Sequence, residues 1–384
     1  MLTDARFKFA LECLKKCIMM EPKTNFFFSP HLLYHSLLLA YFGALYDLEF
    51  TLGQILYIPD STSKRTVEEY YKNGGVNDFC YIKNGSENSY TCRIYYKIII
   101  DSSKGLFIDT LNLHAATNAV KECNFKIAPY LVRDFINNIV TCTTQNCIKN
   151  LLPPFSIDED TEIIMLNTIY FEGQFDQDYN VEVHNDDKDI GILAKHINYS
   201  FDQLDVIITE VPCKENMIST FYFYPSYQSE LENNLIEVQK VIKLIEQLTT
   251  EEGSRELRKL LDNGIQEMSM VFPFVISNTT IECDVPICKL LDMLGIPDFT
   301  PDLSTAELHD YSESVKLGDV MHRVSVNLKD NNIMASASNV MFTYNMCKHE
   351  QKMPEIVNVK FPCICLVYDR SHHNILFCGM LWES

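Results

Sequence analysis

His31 and His35 stand four residues apart in His31-Leu-Leu-Tyr-His35, the spacing that sets two imidazoles on one helix face where zinc is held. A metalloprotease helix also needs a glutamate directly after the first histidine, and that position is Leu32. The pair therefore reads as packing on a core helix. His372 and His373 follow Asp369, but neighbours on a strand point to opposite faces, so Asp369-Arg-Ser-His-His-Asn374 reads as a turn rather than a ligand pair. The acidic run Asp158-Glu-Asp-Thr-Glu162 lacks the glycine and terminal glutamate of a calcium loop and reads as a solvated turn before a strand. No nucleophile elbow, P-loop or dinucleotide glycine motif occurs, so hydrolase and nucleotide chemistry have no anchor. These residues imply no metal, no cofactor and no enzyme.

The 14 cysteines are scattered, without a C-x-x-C pair, and several lie in apolar runs such as Cys363, Cys365 and Cys378. That usage fits reduced thiols buried as small hydrophobes better than a disulfide framework. Asn84, Asn198 and Asn278 open acceptor triplets for N-glycosylation, a weak signal in an asparagine-rich chain.

The informative stretch is His322 to Ser338. Val324, Val326 and Leu328 alternate with Arg323, Ser325, Asn327 and Lys329, the period of a half-buried strand. A turn is expected at Asp330-Asn331-Asn332, followed by Ile333, Met334 and the small residues Ala335-Ser336-Ala337-Ser338. Side chains this small would enter a gap between two existing strands, where bulky or charged ones would jam. From Asn331 to Cys347 no side chain is ionised, so burial of this segment leaves no unpaired charge. About twenty mostly polar residues then lead to a hydrophobic C-terminal block. The segment reads as a mobile loop with an insertable root, tethered to sheet at both ends.

Around that segment, 384 residues with 47% hydrophobic content supply a sizeable core. A net charge of −20 disfavours phosphate backbones and anionic membranes, so neither nucleic acid nor membrane is an expected partner. No apolar run is long enough to span a bilayer. Phe7, Ala10, Leu11, Leu14 and Ile18 follow helical spacing, so residues 4–20 read as an amphipathic core helix rather than an export signal. The expected location is the cytoplasm, or release without a classical signal peptide, or extracellular if the numbering is of a processed chain.

Helices are expected at His31–Phe42, opened by Pro30 and closed by Gly43, around Thr51–Tyr57, before Tyr71, near Ile108–Glu122 and at Tyr130–Val140. Strands are expected at Tyr90–Ile100 and, from Glu162 on, in several runs interrupted by helices at Ser229–Leu248, Glu251–Asn263 and Pro286–Leu294. Without regular βαβ alternation or a flexible linker, this is an α+β fold in one interwoven domain, residues 1–384.

Motifs along the chain resemble those of the serpin family. Asn25-Phe-Phe-Phe-Ser-Pro30 is similar to its N-x-F-F-S-P entry to the second helix. Lys149-Asn-Leu-Leu-Pro-Pro154 and Asn167-Thr-Ile-Tyr-Phe-Glu-Gly173 resemble its L-L-P and N-x-x-Y-F-x-G motifs. Val211-Pro-Cys-Lys-Glu-Asn216, Phe272-Pro-Phe274, Phe361-Pro362 and Ile375-Leu-Phe-Cys-Gly379 resemble later strands, and the whole looks most like the intracellular, ovalbumin-like branch.

The resemblance implies a fold of three β-sheets and about nine helices with an exposed reactive-centre loop at about residues 330–360. It implies suicide inhibition of a serine endopeptidase, or alternatively a cysteine one, trapped as an acyl-enzyme when the cut loop inserts into the central sheet. The alternative is a non-inhibitory binding, carrier or chaperone-like protein of the same fold. The implied hinge is Asp330 to Ser338, and the reactive bond Met346–Cys347, with Tyr344 or Lys348 as alternatives. Met346 suits a chymotrypsin- or elastase-like enzyme, Tyr344 a chymotrypsin-like and Lys348 a trypsin-like one. The implied sheet-opening network keeps Ser29, Asn167 and His322 but has Leu32 where the family has a second serine. Asn332 stands for the hinge glycine, Ile333 for its threonine, Met334 for its glutamate and Phe175 for a tryptophan atop the sheet. A protease is the expected partner, and a monomer the expected state.

Overall fold

The structure, a computed structural model, describes residues 2–44, 46–73, 80–84, 90–105, 120–175, 180–182, 190–201, 204–225, 234–266, 273–274, 279–296, 302–304, 314–316, 318–329, 332–342 and 362–382. Eight α-helices lie within them: α1 (Leu2–Met20), α2 (Pro30–Gly43), α3 (Tyr46–Ile55), α4 (Lys64–Asn73), α5 (Pro129–Thr143), α6 (Asn234–Thr249), α7 (Glu251–Asn263) and α8 (Ile287–Leu294). The segment 106–119, which holds most of the helix expected near Ile108–Glu122, lies outside the described residues.

One six-stranded sheet combines β1 (Phe26–Phe28), β8 (Lys195–Phe201), β9 (Leu204–Pro212), β10 (Ile218–Pro225), β17 (Cys363–Asp369) and β18 (Asn374–Leu381), in the order β1-β18-β17-β10-β9-β8. A seven-stranded sheet holds β2 (Cys80–Asn84), β3 (Tyr90–Asp101), β4 (Val120–Cys123), β5 (Ile163–Gln174), β12 (Thr279–Asp284), β15 (Asp319–Lys329) and β16 (Asn332–Phe342). Its order is β12-β15-β16-β5-β3-β2, with β4 beside β3. Short strands β6 (Asn180–Glu182), β7 (Ile190–Leu193) and β11 (Pro273–Phe274) form a third sheet, and β13 (Asp302–Ser304) and β14 (Ser314–Lys316) a two-stranded ribbon.

The helix expected near Ile108–Glu122 is corrected at its end. Val120 to Cys123 form β4, which runs parallel to β3 with Val120 opposite Ile98 and Cys123 opposite Asp101. A polar tetrapeptide carries little strand preference of its own; the free edge of β3 supplies its ladder partners and overrides local propensity.

Helix α2 positions the rest. Ser29 caps it, its hydroxyl accepting from the Leu32 N–H at 3.3 Å, and Pro30 follows where no amide donor is needed. All fourteen of its residues are buried, so it is a central helix rather than an amphipathic surface one. It packs against β18 on one side and against β5 and β16 on the other. The opposite face of the seven-stranded sheet is covered by α5, whose Ile136 and Val140 join Ile99, Ile164, Leu166, Val340 and Phe342 in a second hydrophobic cluster. The sheet is thus clamped between two helices.

Candidate functional site

The segment expected to be an insertable loop root is a strand in the middle of the seven-stranded sheet. β16 pairs antiparallel with β15 from Lys329↔Asn332 to Asp319↔Phe342. Its other edge pairs antiparallel with β5 from Gln174↔Asn332 to Ile164↔Phe342. All eleven residues therefore have ladder partners on both sides.

Its side chains divide as a strand requires. Ile333, Ala335, Ala337 and Met341 turn into the main core, each at most 1% exposed. Val340 and Phe342 face the cluster under α5. Met334 and Asn332 are half-buried. The buried serines keep partners: Ser336 Oγ donates to the Ser325 carbonyl at 3.2 Å, and the Ser338 and Thr168 hydroxyls bond at 2.9 Å. No charge is buried anywhere along the strand, so insertion costs ordering entropy but no ionic desolvation.

Asn332 is the first residue of β16, in extended backbone, so no left-handed conformation calls for glycine there in this arrangement. Asp330 and Asn331 lie outside the described residues, as do Met346, Cys347, Tyr344 and Lys348.

Beneath the inserted strand runs a polar row. His322 on β15 lies opposite Asn339 on β16, Asn339 opposite Asn167 on β5, and Asn167 opposite Tyr96 on β3. The row faces α2. Ser36 Oγ accepts from Asn339 Nδ2 at 2.7 Å and from Asn167 Nδ2, and donates to the Leu32 carbonyl at 3.1 Å, which saturates it. Ser29 is a second tie: its Oγ donates to the Leu376 carbonyl at 2.7 Å, and its backbone N–H donates to His322 Nε2 at 3.1 Å.

An amide N–H can only donate, so Nε2 of His322 accepts and the neutral ring carries its proton on Nδ1. That Nδ1 and Asn339 Oδ1 are buried without a well-aligned partner, and they belong to residues directly opposite each other. Burial lowers the His322 pKa to about 4, against the opposing pull of the Asn339 side chain and the Asp284 charge. The imidazole stays neutral at physiological pH.

Of the residues singled out from sequence, Ser29 bonds His322 beside α2, while Asn167 joins a second set completed by Ser36 and Asn339. These two were missed. Leu32 offers no hydroxyl, but Ser36, one helical turn later, carries one that reaches the sheet. The i to i+4 spacing from Leu32 was the available signal; Asn339 gave none, because its place opposite both His322 and Asn167 exists only once β16 is inserted.

His31 and His35 are core residues held by hydrogen bonds. His31 Nε2 lies 3.1 Å from the Tyr96 hydroxyl and its Nδ1 3.0 Å from Asn374 Nδ2; His35 Nε2 lies 2.6 Å from the Tyr71 hydroxyl. His372 and His373 sit in a turn, bonded to Asp369 at 2.7 Å and Asp262 at 2.8 Å. Among the described residues no group of histidines, cysteines and carboxylates has the geometry of a metal site. Burial raises the thiol pKa values of Cys213, Cys283 and Cys363 to about 12, which keeps them protonated and inert.

Two of the family-like motifs have a steric basis. A Cβ on Gly173 would come within 2.6 Å of both Cys213 Sγ and the Phe171 ring, so the N-x-x-Y-F-x-G and V-P-C motifs meet where only glycine fits. Gly379 lies against the Phe26 carbonyl and the Phe27 ring, so glycine lets β18 approach β1.

The profile of the family described as "Serpin (serine protease inhibitor)" matches residues 4–384. The chain belongs to the serpin family. Among its relatives, Serine protease inhibitor 88Ea of Drosophila melanogaster is 24% identical, over 97% of this chain and 88% of that protein. Human Serpin B4, of the ovalbumin-like group, is 20% identical over 98% of each chain. Among solved structures, the thermophilic serpin tengpin in its latent state superposes with a TM-score of 0.68 at 14% identity, covering 99% of this chain and 97% of that one. A loop-inserted, cleaved ovalbumin mutant gives a TM-score of 0.68 at 15% identity, over 99% and 98%. The α+β serpin fold expected from sequence is the fold of this protein. Serpins are in general protease inhibitors rather than enzymes, with proteases as their general partners.

Proposed function

We propose that this serpin is a suicide inhibitor of an endopeptidase, of serine or cysteine type, that traps its acyl-enzyme by inserting residues 332–342 into the large sheet. The carrying observation is the double pairing of β16: every residue of an uncharged segment is accommodated between β15 and β5. Burying this strand closes two edges at once and adds Ile333, Met341 and Phe342 to the cores, a gain only the inserted arrangement has. Protease attack within 343–361 releases the strand's far end, and the sheet takes up the freed segment by strand addition. The polar row is the latch. Asn339 occupies the position between His322 and Asn167, and Asn339 and Asn167 each donate to Ser36 of α2.

The test mixes the freshly folded protein with trypsin-, chymotrypsin-, elastase- and papain-like enzymes and resolves the products on a denaturing gel. A band at the summed mass is expected with at least one enzyme. Mass spectrometry of the released C-terminal peptide then places the cut, which we assign to Met346–Cys347, with Tyr344–Asn345 and Lys348–His349 as the competing bonds. Loop cleavage by every enzyme without such a band would leave a binding or carrier protein of serpin fold.

A further inference from the structure

A cavity of about 340 Å³ lies away from the inserted strand, between α1, α2, α4, the start of β3 and the turn joining β17 to β18. Its size falls at the lower end of the range for small-molecule sites. The wall is aromatic and apolar: Tyr34, Tyr71 and Tyr96 are buried, Tyr70 stands half-exposed at its edge, and Leu38 and Ile94 fill between them.

Most polar groups in this wall already have partners. Tyr34 donates to the Leu56 carbonyl at 3.2 Å, Tyr71 bonds His35, and Tyr96 bonds His31. The carboxylate of Asp369 accepts from the Ser371 amide and hydroxyl and bonds His372. Arg6 differs. Its Nη2 donates to the His372 carbonyl at 3.1 Å, but its Nε is shut off from solvent with no acceptor, and no carboxylate pairs with it among the described residues. Of the wall residues it alone has a buried polar atom left over. Burial lowers the guanidinium pKa, yet a guanidinium remains charged. A guanidinium in the wall of an aromatic cavity, paired with no carboxylate among the described residues, is the complement of an anion carried on a flat apolar body.

We propose that this cavity binds a small aromatic monocarboxylate, with its carboxylate on Arg6 and its ring among the tyrosines. The two histidines of α2 act as neutral walls, since burial lowers the His31 pKa to about 3 and that of His35 well below its ordinary value. Neither competes for the carboxylate as a second cation. Selectivity then rests on the Arg6 cation, with the Asp369 carboxylate engaged by Ser371 and His372, and on shape.

Isothermal titration of the full chain with sodium 1-naphthoate, and with 1-naphthamide as its neutral isostere, tests this. One saturable site for the acid is expected, with binding at least tenfold weaker for the amide and for the Arg6→Met variant. A Tyr70→Trp reporter at the rim should change emission on adding the acid, which places the ligand. The comparison of acid with amide needs no variant, so the proposal stays testable should Arg6→Met fail to fold. Equal binding of acid and amide, full affinity in a folded Arg6→Met protein, or no binding of naphthoate overturns it.

Discussion

At the scale of single residues, the inserted strand tolerates what it has because nothing on it is charged. Ala337 is the sharpest probe. It is fully buried, opposite Val324 on one side and Ile169 on the other. A carboxylate there would have no partner and would cost about 3–5 kcal/mol in the inserted form only. Ala337→Asp should therefore keep the uninserted fold but turn the inhibitor into a substrate, read as loss of the protease-linked band with cleavage retained. A variant that still forms the band would contradict insertion through this position. The buried imidazoles give a second prediction. Burial lowers the pKa of His322 to about 4 and of His31 to about 3, and that of His35 also lies well below the ordinary value near 6.5. As pH falls below about 6.5 the unfolded chain takes up these protons while the folded chain does not, so stability falls with pH by about 1.4 kcal/mol per unit for each histidine. Denaturation between about pH 6 and 5 should show this slope, and His322→Gln should remove about a third of the histidine contribution. An unchanged slope would mean that His322 is protonated in the fold.

At the scale of elements, the motifs that look like family spelling are places where backbones touch. Gly379→Ala would drive a methyl group into the Phe26 carbonyl of β1, which cannot swing aside, whereas at Gly173 the obstacles are the Phe171 ring and the Cys213 sulfur. Overpacking of this kind costs about 1–3 kcal/mol. Urea midpoints should fall for both variants and further for Gly379→Ala, and Cys213→Ala should recover part of the loss in Gly173→Ala alone. Equal losses, or no recovery, would place the strain elsewhere. Elements such as these were legible to different depths. Proline and glycine punctuation marked α2, and the alternation of Val324, Val326 and Leu328 marked β15, because both signals are local. The small, uncharged run from Ala335 to Ser338 spelled out an insertable segment for the same reason. What stayed hidden was tertiary. β4 exists through the edge of β3, and the union of Ser36, Asn339, Asn167 and His322 depends on a register across three strands that no local pattern encodes. The cavity beside Arg6 is hidden for the same cause, since five separate elements build its wall.

At the scale of the whole molecule, insertion in this structure occurs in a continuous chain. β16 ends at Phe342 opposite Asp319, and β17 begins at Cys363 in the other large sheet. An eleven-residue strand is roughly 37 Å long. The connection through residues 343–362 can extend to roughly 70 Å, about twice that length, so the chain can return without being cut. Under the proposed mechanism cleavage is one route to the inserted state and return of the uncut chain is another, so that two arrangements of one sequence would compete. This changes what a melting experiment should find. Freshly folded protein with its loop exposed should trap protease and melt at the lower temperature. Held warm and left intact by mass, it should lose trapping while its melting temperature rises, as the strand enters and two sheet edges close. Nicking within 343–361 should stabilise the fresh sample strongly and the warmed one hardly at all, since its strand is already in place. A warmed, intact sample that stopped trapping without melting higher would have lost activity by another path. If nicking then raised its melting temperature as far as that of the fresh protein, uncut insertion would be ruled out.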